Sequence, residues 1–393
     1  MATWAPYEER FGSKRPRKLL ALDGGGIRGI ITLEILSELE KKLKSKLEIG
    51  DTFRLCDYFD YIGGTSTGAI IAAGLSIGMS VSELKDFYMH KGKDMFDKNF
   101  LLKRWRALYE SGPLLDMLKN TFGADTDLDF SNGKLKCLLL VVAMNRSTDS
   151  PWPISNNPFA MYNDKRRPDC NLNIKLYQLV RASTAAPVYF PPETLQWDPD
   201  DPQKTFVFVD GGVTPYNNPA FLMYRMATHS AYGLNWDTGE DKLLLVSVGT
   251  GASPTEGTYS HLVDTLKGLP TNLMYAAQVD QDINCRTVGR CTYGEMIDRE
   301  LGDMIPRELI RDESGDLVKK EDIPLSKDLN KHFIYVRYNV ELSKSGLEEI
   351  GIKNINPEPL RELDSTKHLK DLSEVGKAAA KKVDLKHLGT FVS

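Results

Sequence analysis

A serine stands at the centre of the pentapeptide GTSTG, between Gly64 and Gly68. In the pattern G-x-S-x-G, small flanking residues allow a sharp turn from a strand into a helix, and the turn projects the serine hydroxyl. A serine that only caps a helix would give the same letters. Here an apolar run at residues 58–64 precedes the turn, and a run of small residues at 69–75 follows it. This context predicts that Ser66 is a nucleophile.

Three consecutive glycines, Gly24, Gly25 and Gly26, follow another short apolar run and precede a helical pattern. Backbone amides without side chains at the start of a helix attract negative charge. Such a turn can hold a phosphate or stabilise the oxyanion of an ester's tetrahedral intermediate, and the sequence leaves both uses open. Arg28, inside the same loop, suits a phosphate group or a structural salt bridge.

Gly24, Gly26 and Gly29 also fit the dinucleotide-binding pattern G-x-G-x-x-G. A dinucleotide unit continues into a second strand that ends in an acidic residue about 20 positions on, where it holds the ribose. Residues 40–51 (EKKLKSKLEIGD) read instead as a charged helix. The pattern therefore disfavours a dinucleotide site, and a nucleotide-binding module remains as an alternative function.

An aspartate, Asp210, ends the apolar run TFVFV and is followed by Gly211 and Gly212. The carboxyl end of a strand is where functional sites gather in α/β proteins. An ordinary Asp-Gly turn is the structural alternative. A buried carboxylate beside a serine can accept the serine proton, because burial raises its pKa. We therefore predict that Asp210 is the base that activates Ser66.

Histidine is the more usual base, and several of the six histidines follow Asp210 in the chain. A Ser-Asp-His order is therefore possible by counting. His332, however, begins a strand candidate instead of following one, and His368 and His387 lie in charged helical sequence. These positions favour a dyad of Ser66 and Asp210 over a triad.

The elements that must position these residues alternate between strands and helices. An α/β fold with three layers, α/β/α, and a mostly parallel central sheet is the expected result. We predict an exposed loop at residues 193–204, which are rich in Asp and Pro. The strand candidates are residues 18–23, 58–64, 135–143, 205–209, 243–248 and 332–338. The predicted divisions are an N-terminal segment (1–17), a main domain (18–331) and a C-terminal strand with a helical cap (332–393) packed on the same domain.

The motifs DGGGIRG, GTSTG and DGG, in that order and each at the end of a strand candidate, resemble those of the patatin-like phospholipase family. Three further stretches are similar to the family, at residues 181–190, 217–220 and 247–251. The resemblance covers residues 18–251. It implies a patatin-like fold and a lipid acyl hydrolase that cleaves fatty acyl esters of glycerolipids, of the phospholipase A or lysophospholipase type, without a metal or organic cofactor.

By this resemblance Ser66 is the nucleophile and Asp210 the general base. The oxyanion hole is formed by Gly24, Gly25 and Gly26, with the amides of Gly25 and Gly26 as donors and Arg28 near the lipid phosphate. The remaining motif positions, which shape the three turns, are Gly29, Gly64, Gly68, Gly211 and Gly212.

The composition limits the class of protein. Of 393 residues, 41% are hydrophobic and 26% are charged, which is typical of a globular chain. The net charge of −4 argues against nucleic acid as a partner. The first residues do not resemble a secretory signal, no stretch reaches the roughly 18 to 20 apolar residues that cross a bilayer, and the five cysteines form no CxxC pair. We expect a cytoplasmic protein, at most peripheral at a membrane.

The resemblance implies that a membrane glycerolipid is the partner. Residues 100–109 combine aromatic, apolar and basic side chains that could lie in a bilayer interface, although a packed surface helix has the same composition. A catalytically silent lipid-binding protein is the second alternative function. Residues 251–393, which match no motif, are where we expect any control of activity by a lid, a partner or a small-molecule signal.

Overall fold

The computed structural model describes residues 9–12, 15–96, 113–187, 190–252, 262–294, 309–311, 314, 317–319 and 330–392. Eleven strands occur in these residues: β1 (Arg17–Leu22), β2 (Tyr61–Thr65), β3 (Leu138–Asn145), β4 (Ser150–Ser155), β5 (Glu193–Gln196), β6 (Thr205–Asp210), β7 (Leu243–Val248), β8 (Arg290–Tyr293), β9 (Leu309–Arg311), β10 (Leu317–Lys319) and β11 (Ile334–Tyr338).

The same residues contain ten α-helices: α1 (Gly29–Leu47), α2 (Leu55–Tyr58), α3 (Thr67–Ser76), α4 (Val81–Phe96), α5 (Pro113–Phe122), α6 (Leu176–Ser183), α7 (Ala220–Thr228), α8 (Leu262–Val288), α9 (Lys344–Glu349) and α10 (Leu369–Ala380). In this described part of the chain, no helix is long and apolar enough to cross a membrane.

The central sheet of the described residues has nine strands in the order β5-β6-β3-β2-β1-β7-β11-β8, with β4 also paired to β3. Neighbouring strands from β3 to β8 run parallel. The strands β4, β5 and β6 are antiparallel to their partners, and β9 and β10 form a separate antiparallel pair. The sheet is therefore mostly parallel, as the sequence predicts.

Helices cover both faces of this sheet. Successive residues of a strand point to opposite faces, so the neighbours of Gly63 and Gly64 show what covers each face of the sheet. A Cβ added at Gly63 would lie 2.5 Å from Met223 Sδ in α7, and one added at Gly64 would lie 2.1 Å from the carbonyl oxygen of Gly68 in α3. The predicted three-layer α/β/α fold is confirmed.

The core follows the apolar patterns of the sequence. The strands β2 and β7 are buried along their whole length, as parallel strands between two layers of helices are. In α1 the residues that recur every four positions, from Ile31 to Leu43, are buried. The helix itself begins at Gly29, because residues Gly26–Arg28 form a 3₁₀ turn instead of the first helical turn that the pattern indicates.

The prediction of an exposed loop at residues 193–204 is wrong for its first part. Residues Glu193–Gln196 form β5, an edge strand antiparallel to β6. Leu195 and Trp197 are buried, and the ring of Trp197 packs 5.2 Å from that of Trp152. The Asp and Pro residues that suggested a loop are confined to positions 198–202, beyond the strand.

The C-terminal region supplies part of the sheet and one outer helix. Strand β11 lies between β7 and β8 and is parallel to both. Helix α10 packs along α1, where a Cβ added at Gly376 would lie 2.8 Å from Glu34 Cβ. Its residues Leu372 and Val375 are buried. The proposed interfacial segment at residues 100–109 lies outside the described residues.

Candidate active site

Ser66 lies on a sharp turn between β2 and α3. Its backbone angles are φ 55° and ψ −122°, in the left-handed half of the map that non-glycine residues rarely adopt. The turn requires glycine on both sides: a Cβ at Gly64 would meet the Gly68 carbonyl oxygen at 2.1 Å, and a Cβ at Gly68 would meet that of Leu22 at 2.3 Å. The strained turn therefore depends on a close approach of α3 to β1 and β2.

Asp210 ends β6 and meets Ser66 although the two residues are far apart in the chain. The Ser66 hydroxyl donates a hydrogen bond of 2.6 Å to Asp210 Oδ2. The Gly212 N–H donates one of 2.6 Å to Asp210 Oδ1, which orients the carboxylate. Both side chains are buried, with 8% exposure for Ser66 and 5% for Asp210. The two residues that the sequence singles out are in direct contact.

The surroundings of Asp210 raise its pKa toward neutral pH. Burial raises the pKa of Asp210 to about 6, against the opposing hydrogen bonds from Ser66 and Gly212 and the positive charge of Arg181. A carboxyl group with its pKa near the working pH can both accept and return a proton. This arrangement can therefore perform general base and general acid chemistry on the serine hydroxyl.

The glycine turn lies beside the serine with two amides left over. The Gly24 N–H is taken by the Asn217 carbonyl oxygen at 3.0 Å. Gly26 has φ 58°, and a Cβ there would lie 2.2 Å from the Leu363 carbonyl oxygen. Within the described residues, the N–H groups of Gly25 and Gly26 donate to no protein acceptor, and both glycines line the cavity that contains Ser66. Two donors are thus available to a bound group.

Arg28 lies within the glycine turn and contacts backbone carbonyl groups. Its side chain is buried, and its guanidinium donates to the carbonyl oxygens of Gly25 and Arg361, each at 3.4 Å. Burial lowers the pKa of Arg28 to about 10, partly offset by Asp23. Arg28 does not line the cavity. Its contacts tie the glycine turn to residue 361.

A cavity of about 150 Å³ opens over Ser66 and Asp210. Its walls are mostly apolar, with a polar floor. This volume is below the roughly 300–1,000 Å³ of typical ligand pockets, so it suits an ester group and the adjoining part of a chain. Besides Ser66, Asp210, Gly25 and Gly26, the lining residues are Phe96, Thr184, Ala186, Pro187, Phe190, Gly212, Val213, Met274, Leu363 and Asp364.

A match to a family model identifies the family of this chain. The model of the patatin-like phospholipase family matches residues 20–224. This segment is more than half of the 393 residues. The chain belongs to the patatin-like phospholipase family. The match contains all three glycine-rich turns of the candidate site and ends before β7, α8 and β11.

Several relatives and solved structures are similar to this patatin-like chain. A cGAMP-activated phospholipase of Vibrio cholerae is 33% identical over 222 residues, which are 53% of this chain and 57% of that protein. Patatin-2-Kuras 4 of Solanum tuberosum is 29% identical over 280 residues, which are 66% and 69% of the two chains. Human GIVD cytosolic phospholipase A2 aligns with 98% of this chain and 61% of its own at 12% identity and a TM-score of 0.43. The chain thus spans little more than half of the first of these relatives.

Two residues of the patatin-like site carry contacts that the sequence analysis missed. The Ser183 hydroxyl accepts the Ser66 N–H at 2.9 Å and donates to the Val142 carbonyl oxygen at 2.6 Å. Asn217 holds the glycine turn through its backbone carbonyl. Both lie in the stretches that resemble the family, at residues 181–190 and 217–220. A polar residue within such a stretch is the sequence signal that could have indicated them.

The described histidines take part in other contacts. His332 shares a hydrogen bond of 2.6 Å with the Tyr224 hydroxyl. His387 shares one of 2.9 Å with Tyr338, and His368 pairs with Asp371 at 2.9 Å. The other two, His90 and His229, bond to nearby backbone groups. His261 lies outside the described residues.

A larger cavity, of about 590 Å³, opens at the carboxyl ends of β8 and β11. It contains none of the three glycine-rich turns, and its charged side chains have both signs. Among the described residues, no group of three or more His, Cys, Asp or Glu side chains is placed to hold a metal ion. The smaller cavity over Ser66 is the one that the three glycine-rich turns line.

Proposed function

We propose that this protein hydrolyses fatty acyl esters of glycerolipids through an acyl-Ser66 intermediate, as a phospholipase A or lysophospholipase. The observation that carries the proposal is the 2.6 Å hydrogen bond from the Ser66 hydroxyl to Asp210, next to two amides without a protein acceptor in the described residues. A nucleophile, a base and oxyanion donors then face one cavity with apolar walls.

In the first step, Ser66 Oγ attacks the ester carbonyl carbon while its proton moves to Asp210 Oδ2. The carbonyl oxygen takes up the electron pair, and the N–H groups of Gly25 and Gly26 stabilise its negative charge. When the carbon–oxygen bond to the leaving group breaks, the proton on Asp210 passes to the departing alkoxide. The products are a lysolipid or glycerol alcohol and an acyl group bound to Ser66.

In the second step, a water molecule attacks the acyl carbon and gives its proton to Asp210. The same amides stabilise the second oxyanion. As the bond to the serine breaks, the proton returns from Asp210 to Ser66 Oγ, and the fatty acid is released. A base with its pKa near neutrality suits this repeated exchange, and the hydrogen bond from Gly212 keeps the carboxylate oriented throughout.

The other motif residues shape the turns that carry the nucleophile, the base and the oxyanion donors. The Gly24 N–H donates to the Asn217 carbonyl oxygen, so Gly24 shapes the turn. Only Gly25 and Gly26 are then oxyanion donors. Arg28 ties the turn to residue 361. The remaining motif glycines allow close backbone contacts, since an added Cβ would lie less than 3 Å from its nearest neighbour at Gly29, Gly64, Gly68, Gly211 and Gly212.

An apolar rim around the cavity supports a membrane as the source of the lipid. We define this rim as Val213 and Leu273, whose side chains are 51% and 63% exposed. Val213 lines the cavity, and Leu273 adjoins Met274, which also lines it. Apolar side chains at the mouth of a lipid site can enter a bilayer interface. The proposal thus includes peripheral contact with a membrane, in the cytoplasmic setting that the sequence favours.

A serine-directed fluorophosphonate probe tests the proposal. We expect wild-type protein to be labelled and Ser66→Ala to be unlabelled. Ser76→Ala is the matched control, because Ser76 is a buried serine at the last residue of α3, whereas Ser66 precedes the first residue of this helix. Asp210→Asn retains the nucleophile without its base and should be labelled much more slowly. Fatty acid release from phosphatidylcholine vesicles gives the corresponding activity.

These assays are run with and without cGAMP, since a relative is named as activated by that molecule. If neither labelling nor fatty acid release occurs, both with and without cGAMP, the proposal is contradicted. In that case, binding to vesicles would favour the silent lipid-binding alternative. Thermal stabilisation by ATP or NAD would favour the nucleotide-binding alternative.

A further inference from the structure

A buried ion pair connects the glycine turn to strand β11, outside the segment that matches the family model. Asp23, the residue before the turn, is fully buried. Arg337 in β11 binds both of its carboxylate oxygens, with Nη1 at 2.8 Å from Oδ1 and Nη2 at 2.6 Å from Oδ2. Arg337 itself is 4% exposed. A two-point contact of this kind fixes direction as well as distance.

The register of the sheet explains why Arg337 reaches Asp23. Arg337 is opposite Ser247 in β7, and Ser247 is opposite Ala21 in β1. Asp23 follows Ala21 by two residues, which is the spacing of side chains on one face of an extended chain. The guanidinium therefore passes over β7, where its Nη1 also donates to the Ser247 hydroxyl at 2.7 Å.

The turn is held from a second direction by the chain that follows β11. The Ile27 N–H donates to the Leu363 carbonyl oxygen at 2.9 Å, and Arg28 donates to that of Arg361. The Leu363 backbone lies so close to Gly26 that no side chain fits between them. The C-terminal region thus contacts the turn at Asp23 on one side and at residues 26–28 on the other.

We propose that Arg337 is a positioning residue for the oxyanion hole: its ion pair with Asp23 sets the direction of the Gly25 and Gly26 N–H groups. This inference rests on the proposed ester hydrolysis. Oxyanion donors act in the transition state, so a small rotation of these amides lowers kcat while leaving substrate binding nearly intact. The C-terminal region then completes the reactive centre.

The charge of Arg337 is as important as its shape. Burial and the nearby carboxylate of Asp282 raise the pKa of Asp23, whereas Arg337 and Arg28 lower it. A buried carboxylate that loses its partner takes up a proton or moves toward water. Either change removes the two charge-assisted hydrogen bonds that hold the start of the turn. A lysine keeps the charge but lacks the planar fork that contacts both oxygens.

The test is a double-mutant cycle on a soluble short-chain ester, with variants Arg337→Gln, Asp23→Asn and both together. We expect each single variant to lower kcat by roughly 10-fold to 1,000-fold, with KM within about twofold; the upper limit is the effect of losing an oxyanion donor outright. The double variant should be no slower than the slower single variant, because both changes remove the same interaction. Arg337→Lys should have a kcat between those of Arg337→Gln and wild type. This partial rescue also keeps the test valid if Arg337→Gln folds poorly.

The opposite end of β1 offers a matched control. Arg17 is 2% exposed and pairs with Asp60 at 3.0 Å, far from the glycine turn. We expect Arg17→Gln to lower the Tm as Arg337→Gln does, with kcat within about twofold of wild type. Equal kcat in the Arg337 and Arg17 variants would overturn the inference, as would additive effects in the cycle.

Hydrogen exchange of the backbone separates this inference from the proposed function. We expect faster amide exchange at residues 24–28 in Arg337→Gln than in Arg17→Gln, at conditions where both are folded. This measurement does not require hydrolysis. An inactive wild-type enzyme would contradict the proposed function alone, whereas unchanged exchange in the turn would contradict the role of Arg337.

Discussion

Asp210, which we propose as the base, illustrates how a buried carboxylate reduces stability. Its carboxylate is buried, receives hydrogen bonds from Ser66 and Gly212, and has a pKa of about 6 in the folded protein against 3.8 as its ordinary value. The folded state thus binds this proton more tightly than the unfolded state does. The stabilisation by the protonated form is complete below pH 3.8 and is lost as the pH rises through 6.

We therefore expect Asp210→Asn to be more stable than wild type at pH 8 and similar to it at pH 4. The shift of about 2 pKa units corresponds to at most about 3 kcal/mol in the free energy of unfolding. Asparagine can still accept the Gly212 N–H. Thermal unfolding at the two pH values measures the effect. Ser66→Ala is the control, because it leaves the carboxylate in place and should not gain stability at pH 8.

The same pKa gives the expected pH dependence of activity. Asp210 must be ionised to accept the serine proton, so kcat/KM on a soluble ester should rise tenfold per pH unit below about 6 and level off above it. A rate that falls as the pH rises through 6 would show that Asp210 acts in another protonation state.

At the scale of elements, the turn from β2 into α3 depends on how closely the helix approaches the sheet. Gly68 and Gly74 are both buried in α3 and differ in what surrounds them. A Cβ at Gly68 would meet the backbone carbonyl oxygen of Leu22 at 2.3 Å, whereas one at Gly74 would meet the side chains of Leu84, at 2.5 Å, and Met79, at 3.2 Å. A side chain can rotate away, but the backbone of a central strand cannot.

We expect Gly68→Ala to lower the free energy of unfolding by roughly 1–3 kcal/mol and to remove most fluorophosphonate labelling of Ser66. Gly74→Ala should change stability by less than about 1 kcal/mol, because the better helix propensity of alanine offsets the crowding at Leu84. Chemical denaturation and labelling rates measure both variants. Equal stability and equal labelling would show that the approach of α3 to β1 is not what holds the serine.

Which elements the sequence could predict depended on their burial. Strands such as β1 and β7 lie between two layers of helices, so they read as continuous apolar runs. The strand β4 contains Pro151 and Pro153, which a strand tolerates at an edge where those N–H groups are not needed. The strand β8 has four residues and begins with Arg290. Neither has an apolar run, so neither was predicted.

The same reasoning applies to the site. Ser66, Asp210 and the pair Gly25–Gly26 could be predicted, because each belongs to a local turn whose geometry restricts the residue types. Asn217 lies in a stretch that resembles the family, but no local pattern shows that it contacts Gly24, 193 residues away. Arg337 could not be predicted, because it reaches Asp23 across the fold from a position 314 residues away.

At the scale of the whole molecule, the position of the apolar rim predicts how the protein meets its substrate. Val213 and Leu273 are two of six large apolar side chains that are exposed among the described residues. Val213 lines the cavity over Ser66, and Leu273 precedes Met274, which also lines it. Met161 and Tyr162 are exposed to a similar extent, 61% and 54%, but do not line it. The two pairs therefore differ in position and not in exposure.

We expect the double variant Val213→Asn with Leu273→Asn to bind and hydrolyse phosphatidylcholine vesicles roughly 10-fold to 30-fold less well, from a loss of about 1 kcal/mol per side chain. Asparagine is neutral, so attraction to charged lipids is unchanged. Hydrolysis of a dissolved short-chain ester should stay near the wild-type rate, because no reacting group is altered. Vesicle flotation and the two rates are compared with Met161→Asn with Tyr162→Asn, which should behave as wild type. If both double variants lose vesicle activity equally, contact with the membrane is not made through the mouth of this cavity.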